Sequence, residues 1–440
     1  MTPDRSVTPV IEHFDVVIVG AGLHGLATAR ALVDTNPNNP KRLIILDEGG
    51  SIGGTWAAER FYPGLKTNNI VGSYEFSDFP MERERYGLKP GQHIPGYVVH
   101  RYLTGFAFHF SLDKLFSQHT KVETVLLQRD GKWQFDYTSG QLTCDKLVIA
   151  TGLTSEARMP TFPGNTSFRG PLFHAKDLHA QVVVVGGNKS AWDVCYSVAT
   201  TGARAHMVIR PSGGGPSWVW RPIYIFGIKL TLARLSSTRL FTCFDPSPFG
   251  KSFSSAALDF LAASATGYSD PRLIMLRPWT STFWMGNSLS IHNYGTDWFD
   301  LARKGQIVVH HADVTSLDGT TAHLSDGSKL KADAVVCCTG WKCKPPIRFE
   351  PEGISGDIGL PQEITSHRQD SGNLGFSPRR TLPKDDKIQA KVPYRLYRFL
   401  VPASPRFLEL RNIAFIGMYR SVHAVMVAQA QALIMDSGVL

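Results

Sequence analysis

The sequence predicts an α/β protein with two Rossmann-type dinucleotide-binding domains, the second inserted into a discontinuous first. Three observations point there. A glycine-rich strand–turn–helix pattern begins at Asp15, a second begins at Val182, and apolar strands of the kind that complete such sheets recur at Leu147, Ala334 and Asn412. The chain has 440 residues, which leaves room for two or three domains at about 150 residues each.

The first pattern reads Asp15-Val-Val-Ile-Val-Gly20-Ala-Gly22-Leu-His-Gly25-Leu-Ala-Thr-Ala-Arg30. Four β-branched residues run directly into GxGxxG, and an amphipathic helical pattern follows. In such a unit Gly20 permits the tight turn, Gly22 lets the backbone approach a pyrophosphate, and Gly25 lets helix pack on strand. The helix then presents free N–H groups and a positive dipole end to phosphate. A second strand, Arg42 to Leu46, ends in Asp47, placed to accept hydrogen bonds from a ribose diol.

The second pattern, Val182-Val-Val-Val-Gly186-Gly-Asn188-Lys189-Ser190-Ala191-Trp-Asp193, repeats strand, turn and helix start. Asn188 stands where the middle glycine is expected, and asparagine tolerates unusual backbone angles better than most residues. Ala191 replaces the third glycine, which the fingerprint allows. The next strand, Ala205 to Ile209, ends in Arg210 where the first unit has an acid. A carboxylate repels a 2′-phosphate, whereas arginine pairs with it in a forked geometry. A solvated arginine at a strand end is the alternative. One nucleotide site with an acid and one with an arginine imply traffic of hydride between FAD and NADPH.

Two further strands end alike, in Thr151-Gly152 and Thr339-Gly340, each after a hairpin-like stretch, Trp133 to Leu142 and Val308 to Leu330. A last strand, Asn412 to Gly417, precedes an apolar helix from about Val422 to Met435. The predicted organisation is an FAD-binding domain over 12–157, an NADP-binding domain over 158–330, and a second part of the FAD domain with the C-terminal helix over 331–440. Within the middle part, a basic apolar insertion covers about 211–282. Between Thr201 and Thr282 there are nine Lys or Arg against three Asp and no Glu. That composition suits an ordinary lid or helical insertion, and peripheral membrane contact is the alternative.

Composition narrows the rest. Apolar residues are 43% and charged residues 19%, ample for a core and wrong for a disordered chain. The formal charge of +9 suits anionic ligands. No nucleic-acid reading motif accompanies it. Six cysteines show no framework spacing, and no His/Cys/Asp cluster has metal-ligand spacing, so no metal is expected. The N-terminus has no signal pattern, and no stretch approaches the roughly 18 apolar residues of a spanning helix. The expected localisation is cytoplasmic, with membrane association left open. Oligomeric state is not legible. No cysteine precedes Cys144, which argues against flavin disulfide reduction, and no GxSxG elbow suggests a hydrolase.

Further segments carry a family resemblance. Ile52-Gly53-Gly54-Thr55-Trp56 follows the FAD acid, Tyr62-Pro-Gly-Leu-Lys-Thr67-Asn68-Asn69 follows that, and Phe76-Ser-Asp-Phe-Pro80 comes next. Phe168-Arg-Gly170-Pro-Leu-Phe-His174 falls between the two fingerprints. Over almost its whole length the chain resembles the flavin-containing monooxygenases and the Baeyer–Villiger monooxygenases, in their fungal FAD-dependent form. It departs from them at Leu178, where relatives carry an aromatic residue, and at Asn188; it also stops soon after its last helix.

The resemblance implies a monooxygenase using FAD and NADPH that inserts one atom of dioxygen into a small organic substrate through a flavin hydroperoxide. N- or S-oxygenation or hydroxylation in secondary metabolism is the first expectation. Baeyer–Villiger oxygenation of a ketone, NADPH oxidase activity, and a non-catalytic redox sensor are the alternatives. By the same resemblance Asn68 is the residue beside the flavin, with Asn69 as its substitute. The segment Trp284 to Tyr294 is a candidate lining for a substrate cavity, and nothing in its composition selects a substrate. Cofactor-binding candidates are Gly20, Gly22, Gly25, Asp47, Gly54, Thr55, Trp56, Thr67 and Thr151 on the FAD side. On the NADP side they are His174, Gly186, Asn188, Lys189, Ser190, Ala191, Arg210 and Thr339. His24, His310 and His311 are read as structural or surface residues.

Overall fold

The computed structural model describes residues 11–34, 41–62, 64–138, 140–175, 183–211, 213–217, 219–220, 223–225, 228–230, 270–279, 290–291, 293–342, 344–361, 394–419, 421 and 424–435. The basic insertion expected at about 211–282 lies mostly outside these residues. So do Leu178, Cys343, most of the segment 284–294 and the end of the chain.

Two sheets organise the chain. The first begins with β1 (Glu12–Val19), which leads into α1 (Leu23–Asp34) and then β2 (Leu43–Leu46). A small antiparallel pair follows, β3 (Lys66–Ile70) with β4 (His93–Pro95), and then α2 (Gly96–His109). The sheet continues with β5 (Phe116–Ser117), β6 (Val122–Leu127), β7 (Trp133–Tyr137) and β8 (Gly140–Ile149). β1 lies between β2 and β8, parallel to both, with Val19 opposite Leu46 and Ile149.

The second sheet comes from the middle of the chain: β9 (Leu172–His174), β10 (Val183–Val185), α3 (Lys189–Thr200), β11 (Ala205–Ile209), β12 (Ile307–His311) and β13 (Val335–Cys337). Its strand order is β12-β11-β10-β13-β9, all parallel. The chain then returns to the first sheet, adding β14 (Arg348–Glu350) beside β6 and β15 (Ile413–Phe415) beside β8. It finishes in α4 (Ala424–Ile434), which packs on α1.

Parallel strands covered on both faces read as continuous apolar runs, because side chains alternate between two cores. In β1, Val16 and Ile18 enter the core shared with α1, α2 and α4, while Val17 and Val19 enter the core on the opposite face with Trp133 and Phe415. β10 divides the same way. Val184 packs with Trp192 and Trp298, and Val183 and Val185 pack with Leu317 and Leu324.

Two expectations change. The return to the first sheet was placed at residue 331, but Val335–Cys337 hydrogen-bonds beside Val183–Val185 inside the second sheet, so the crossing lies beyond it. A buried apolar run has the same pattern in either sheet, and only its pairing distinguishes them. The stretch Val308 to Leu330 is likewise more than a hairpin. Ile307–His311 is a parallel strand, and a three-stranded antiparallel meander follows over Val314–Asp318, Thr321–Leu324 and Lys329–Lys331.

Candidate functional site

The first glycine turn opens a cleft at the carboxyl ends of β1, β2 and β8, where ligands bind in open α/β sheets. Gly20 has φ +115°, and a Cβ on it would stand 2.4 Å from the Ala150 carbonyl oxygen. A Cβ on Gly25 would stand 1.9 Å from the Gly20 carbonyl oxygen, so Gly25 serves helix–strand packing and does not line the cleft. Gly22 forms an isolated parallel bridge with Gly53, and the Gly53 amide donates to the Ala21 carbonyl over 3.0 Å. Those contacts bring the IGGTW turn against the GxGxxG turn.

Of the FAD-side candidates, Gly20, Gly22, Asp47, Gly54, Thr55, Trp56 and Thr151 line this cleft, whose volume is about 590 Å³. Drug-sized and cofactor sites fall in a range of roughly 300–1,000 Å³. The Asp47 carboxylate sits at the end of β2, where Oδ2 accepts from the Ala21 amide at 2.6 Å and Oδ1 from the Gly49 amide at 2.8 Å. Trp56 donates through Nε1 to the Tyr74 hydroxyl at 2.9 Å, and burial pushes the Tyr74 phenol up to about 12. The Thr151 hydroxyl is buried and has no partner.

Sequence reasoning missed several residues of this cleft, among them His24, Glu59 and Arg60. His24 was read as structural or surface, yet it lines the cleft, with its ring packed where a Cβ on Gly417 would come within 2.9 Å. Burial lowers the His24 imidazole to about 4, so it is neutral at neutral pH. Its place inside GxGxxG was the available signal. Glu59 also lines the cleft; burial works to raise its pKa, but bonds from the Ser51 hydroxyl and the Gly50 amide outweigh that and hold it below the usual value. Arg60 donates to the Thr154 carbonyl at 2.9 Å and stands over the Trp341 ring. Nothing in the local pattern marked Glu59 or Arg60.

Thr67 is buried away from the cleft. Its hydroxyl donates to the Asn69 carbonyl at 2.7 Å and accepts from the Ile94 amide at 3.0 Å, joining β3 to β4. Asn68 is exposed at the next position of β3, outside the cleft lining, and Asn69 is half-buried.

The second glycine turn repeats the first at its opening. Gly186 has φ +150°, and a Cβ there would stand 2.6 Å from the Cys338 carbonyl oxygen. Asn188 does not need the unusual backbone expected of it: with φ −94° and ψ 178° it is extended, caps α3, and carries its side chain to the surface. Ser190 is exposed and Ala191 fully buried. Arg210 is exposed at the end of β11. His174, on β9, donates from Nε2 to the Gly340 carbonyl at 3.1 Å and meets the Trp341 ring edge-on. The Thr339 hydroxyl donates to the Arg158 carbonyl.

Lys189, a cofactor-binding candidate from the sequence, is engaged within the protein. Its ammonium donates to Asp193, to Asn293 Oδ1 and to the Tyr294 hydroxyl, the last two at 3.1 Å.

Among the described residues, no group of three or more His, Cys, Asp or Glu converges on a point that could hold a metal. Cys144, Cys195, Cys337 and Cys338 are free and buried, burial pushes each thiol up, and none lines the cleft. No described helix is long and apolar enough to cross a membrane.

Comparison with known proteins places this geometry. Residues 17–219, which span both glycine turns, match the family described as pyridine nucleotide-disulphide oxidoreductase. The chain is 32% identical to an FAD-dependent monooxygenase of Pyrenophora dematioidea, over 96% of this chain and 87% of the relative. It is 30% identical to an FAD-dependent monooxygenase of Aspergillus nomiae, over 96% of this chain and 83% of that protein. Among solved structures, cyclohexanone monooxygenase from Rhodococcus sp. Phi1 bound to NADP+ superposes with a TM-score of 0.68 at 15% identity, covering 98% of this chain and 84% of that one. At that identity the likeness speaks for the fold, which is the two-sheet arrangement described above. With its two nucleotide folds and its near full-length match to these fungal proteins, the chain belongs to the FAD-dependent monooxygenases.

Proposed function

We propose that the enzyme oxygenates a small organic molecule with dioxygen, taking reducing equivalents from NADPH, and that the outcome is N- or S-oxygenation or hydroxylation. The observation that carries this reading is the contrast between the two crossover units: Asp47 ends the second strand of one and an exposed Arg210 ends the second strand of the other. An acid at that position accepts from ribose, and an arginine admits the 2′-phosphate of NADP. In this reading the FAD half comprises residues 12–157 and the chain after the second sheet, and the NADP half runs from 158 to about Thr339.

The residues of the first cleft fit FAD. Gly22 and Gly54 face each other with no side chain between them, and the unpartnered Thr151 hydroxyl is a buried polar group ready for a ligand atom. When bound, FAD supplies the redox chemistry and the activation of dioxygen. The protein holds the ribose through Asp47, brings the pyrophosphate to the α1 N-terminus, and walls the ring with Trp56 and Tyr74. His24, on the first turn of α1, is neutral and adds no charge there. On the NADP side the α3 N-terminus and Arg210 take the phosphates.

Asn68 is proposed as the residue that holds the reacting end. It is solvent-accessible, and the carbonyl of the preceding Thr67 receives a hydrogen bond from Asn293 of the other half over 3.4 Å, which puts Asn68 at the junction of the two. A neutral amide orients ligands by hydrogen bonds without supplying a proton.

Mixing the purified holoenzyme anaerobically with NADPH or NADH, then admitting air with an amine, a thioether or a ketone, tests the proposal. Faster flavin bleaching by NADPH and an oxygenated amine or thioether are expected. Lactone or ester from the ketone alone would move the assignment to Baeyer–Villiger chemistry. Hydrogen peroxide with every substrate would make the enzyme an oxidase.

A further inference from the structure

The two nucleotide-binding halves meet at a polar cluster that neither glycine fingerprint explains. From the second half come Lys189 and Asp193, one turn apart on α3, and Asn293 and Tyr294 from the segment before the short helix Trp298–Arg303. From the first half come Tyr62, Lys66 and Thr67, on and just before β3. The Asp193 carboxylate accepts three donors: the Lys189 ammonium and the Tyr294 hydroxyl on Oδ1, and the Tyr62 hydroxyl on Oδ2 at 3.0 Å. The three Lys189 hydrogens are matched by three acceptors, Asp193, Asn293 and Tyr294.

Three of these bonds cross between the halves. Tyr62 donates to Asp193, Lys66 Nζ donates to the Asn293 carbonyl at 3.4 Å, and Asn293 Nδ2 donates to the Thr67 carbonyl at 3.4 Å. The Lys189 and Asp193 side chains are only 21% and 14% exposed, so the pair is largely withdrawn from water. Such a pair tolerates the loss of a partner poorly, because the remaining groups cannot be rehydrated in place. Burial, and after it the charge of Asp193, push the Tyr62 and Tyr294 phenols well above their ordinary value, so both stay O–H donors.

The cluster sits on the first two turns of α3, directly after the second glycine fingerprint, and it grips β3 one residue before Asn68. We infer that it is a latch fixing the NADP half against the FAD half, with Tyr62 and Asp193 as positioning residues for reduction of the flavin by NADPH. The inference rests on the NADPH reading above. Its physical basis is that transfer between two separately bound cofactors depends on their mutual placement, which each half alone cannot set. Lys189 therefore acts within the protein and leaves the phosphates to the α3 amides and Arg210.

Two variants of the holoenzyme, Tyr62→Phe and Asp193→Asn, test this. Tyr62→Phe removes one crossing bond and keeps the ring, so it serves even if Asp193→Asn folds poorly. Both should retain FAD. The rate of flavin reduction at saturating NADPH should fall about ten- to a hundredfold, the scale expected of misplaced reactants. Reduction of the same flavin by dithionite, which needs no NADP half, should be unchanged, and small-angle scattering should show a more expanded particle. A merely structural bond would shift the melting temperature and leave the ratio of the two reduction rates alone. Tyr62→Phe with wild-type NADPH-driven reduction and a wild-type scattering profile would overturn the latch. If the wild-type flavin is not reduced by NADPH, the NADPH reading fails by itself. Scattering then decides the latch: expansion in Tyr62→Phe supports it and an unchanged profile overturns it.

Discussion

The backbone amide of Ala21 donates a 2.6 Å hydrogen bond to Oδ2 of Asp47, so the acid at the end of β2 is held against the glycine turn at the end of β1. Its other oxygen accepts from Gly49, which leaves the carboxylate fixed in orientation while it still lines the cleft. One side chain thus orders the turn and, in the proposed FAD site, is placed to hold the ribose.

Asp47→Ala should therefore weaken FAD binding about ten- to a hundredfold, since a hydrogen bond to a charged group contributes roughly 1.5–3 kcal/mol. Asp47→Asn keeps an acceptor and should lose less. Flavin content after dialysis measures both. The same contacts are reversible, so denaturing the wild-type protein should release free FAD. Undiminished flavin in Asp47→Ala, or flavin left on the denatured chain, would refute this account of the site.

Arg210→Ala should raise the Michaelis constant for NADPH about ten- to a hundredfold and leave NADH almost unchanged, as expected from losing one charge-assisted phosphate pair. Neither Lys189 nor Arg204 is placed to substitute. Lys189 is held by Asp193, and Arg204 precedes β11, at the opposite end of the strand from Arg210. Equal losses with both cofactors would mean that Arg210 supports structure only.

Asn68→Ala should uncouple the enzyme without unfolding it. Consumption of NADPH continues because it needs only the placement of the two nucleotides, while hydrogen peroxide replaces part of the oxygenated product. Asn68→Asp should uncouple more, since in the proposed placement it would put negative charge near the reduced flavin. Peroxide yield set against product yield is the readout. Normal coupling in both variants would move attention to Asn69.

Stability should fall as pH drops below about 6.5. The folded His24 imidazole titrates near 4 because it is buried, against an ordinary value of 6.5. Between those values the unfolded chain binds the proton that the folded one refuses, so acid favours unfolding. The loss is about 2 kcal/mol from pH 7 to pH 5 at 1.36 kcal/mol per unit. Denaturant midpoints at the two pH values, for wild type and His24→Gln, measure it. A pH slope that the substitution leaves unchanged would place the sensitivity elsewhere.

Much of this architecture is local information. The β-branched run before Gly20, the helix after Gly25 and the acid at Asp47 each follow from steric rules that act within a few residues, so strand, turn, helix and cleft could be read in order. The same holds for Gly186 and Ala191. Asn188 shows the limit of such reading. The fingerprint marks its position for glycine, but the chain is extended there and any residue would serve.

What the sequence determined by itself was the pair of nucleotide folds, their order, the acid in one and the arginine in the other, because alternation, turn chemistry and helix starts are short-range. Only the tertiary structure decided that Val335–Cys337 joins the second sheet, that His24 faces the cleft, and that Lys189 turns to Asp193. It alone brought Tyr62 to Asp193 across 131 residues and Asn293 to Thr67 across 226. Those outcomes depend on which buried polar groups find partners once distant segments of the chain meet, and no periodicity along the chain records that choice.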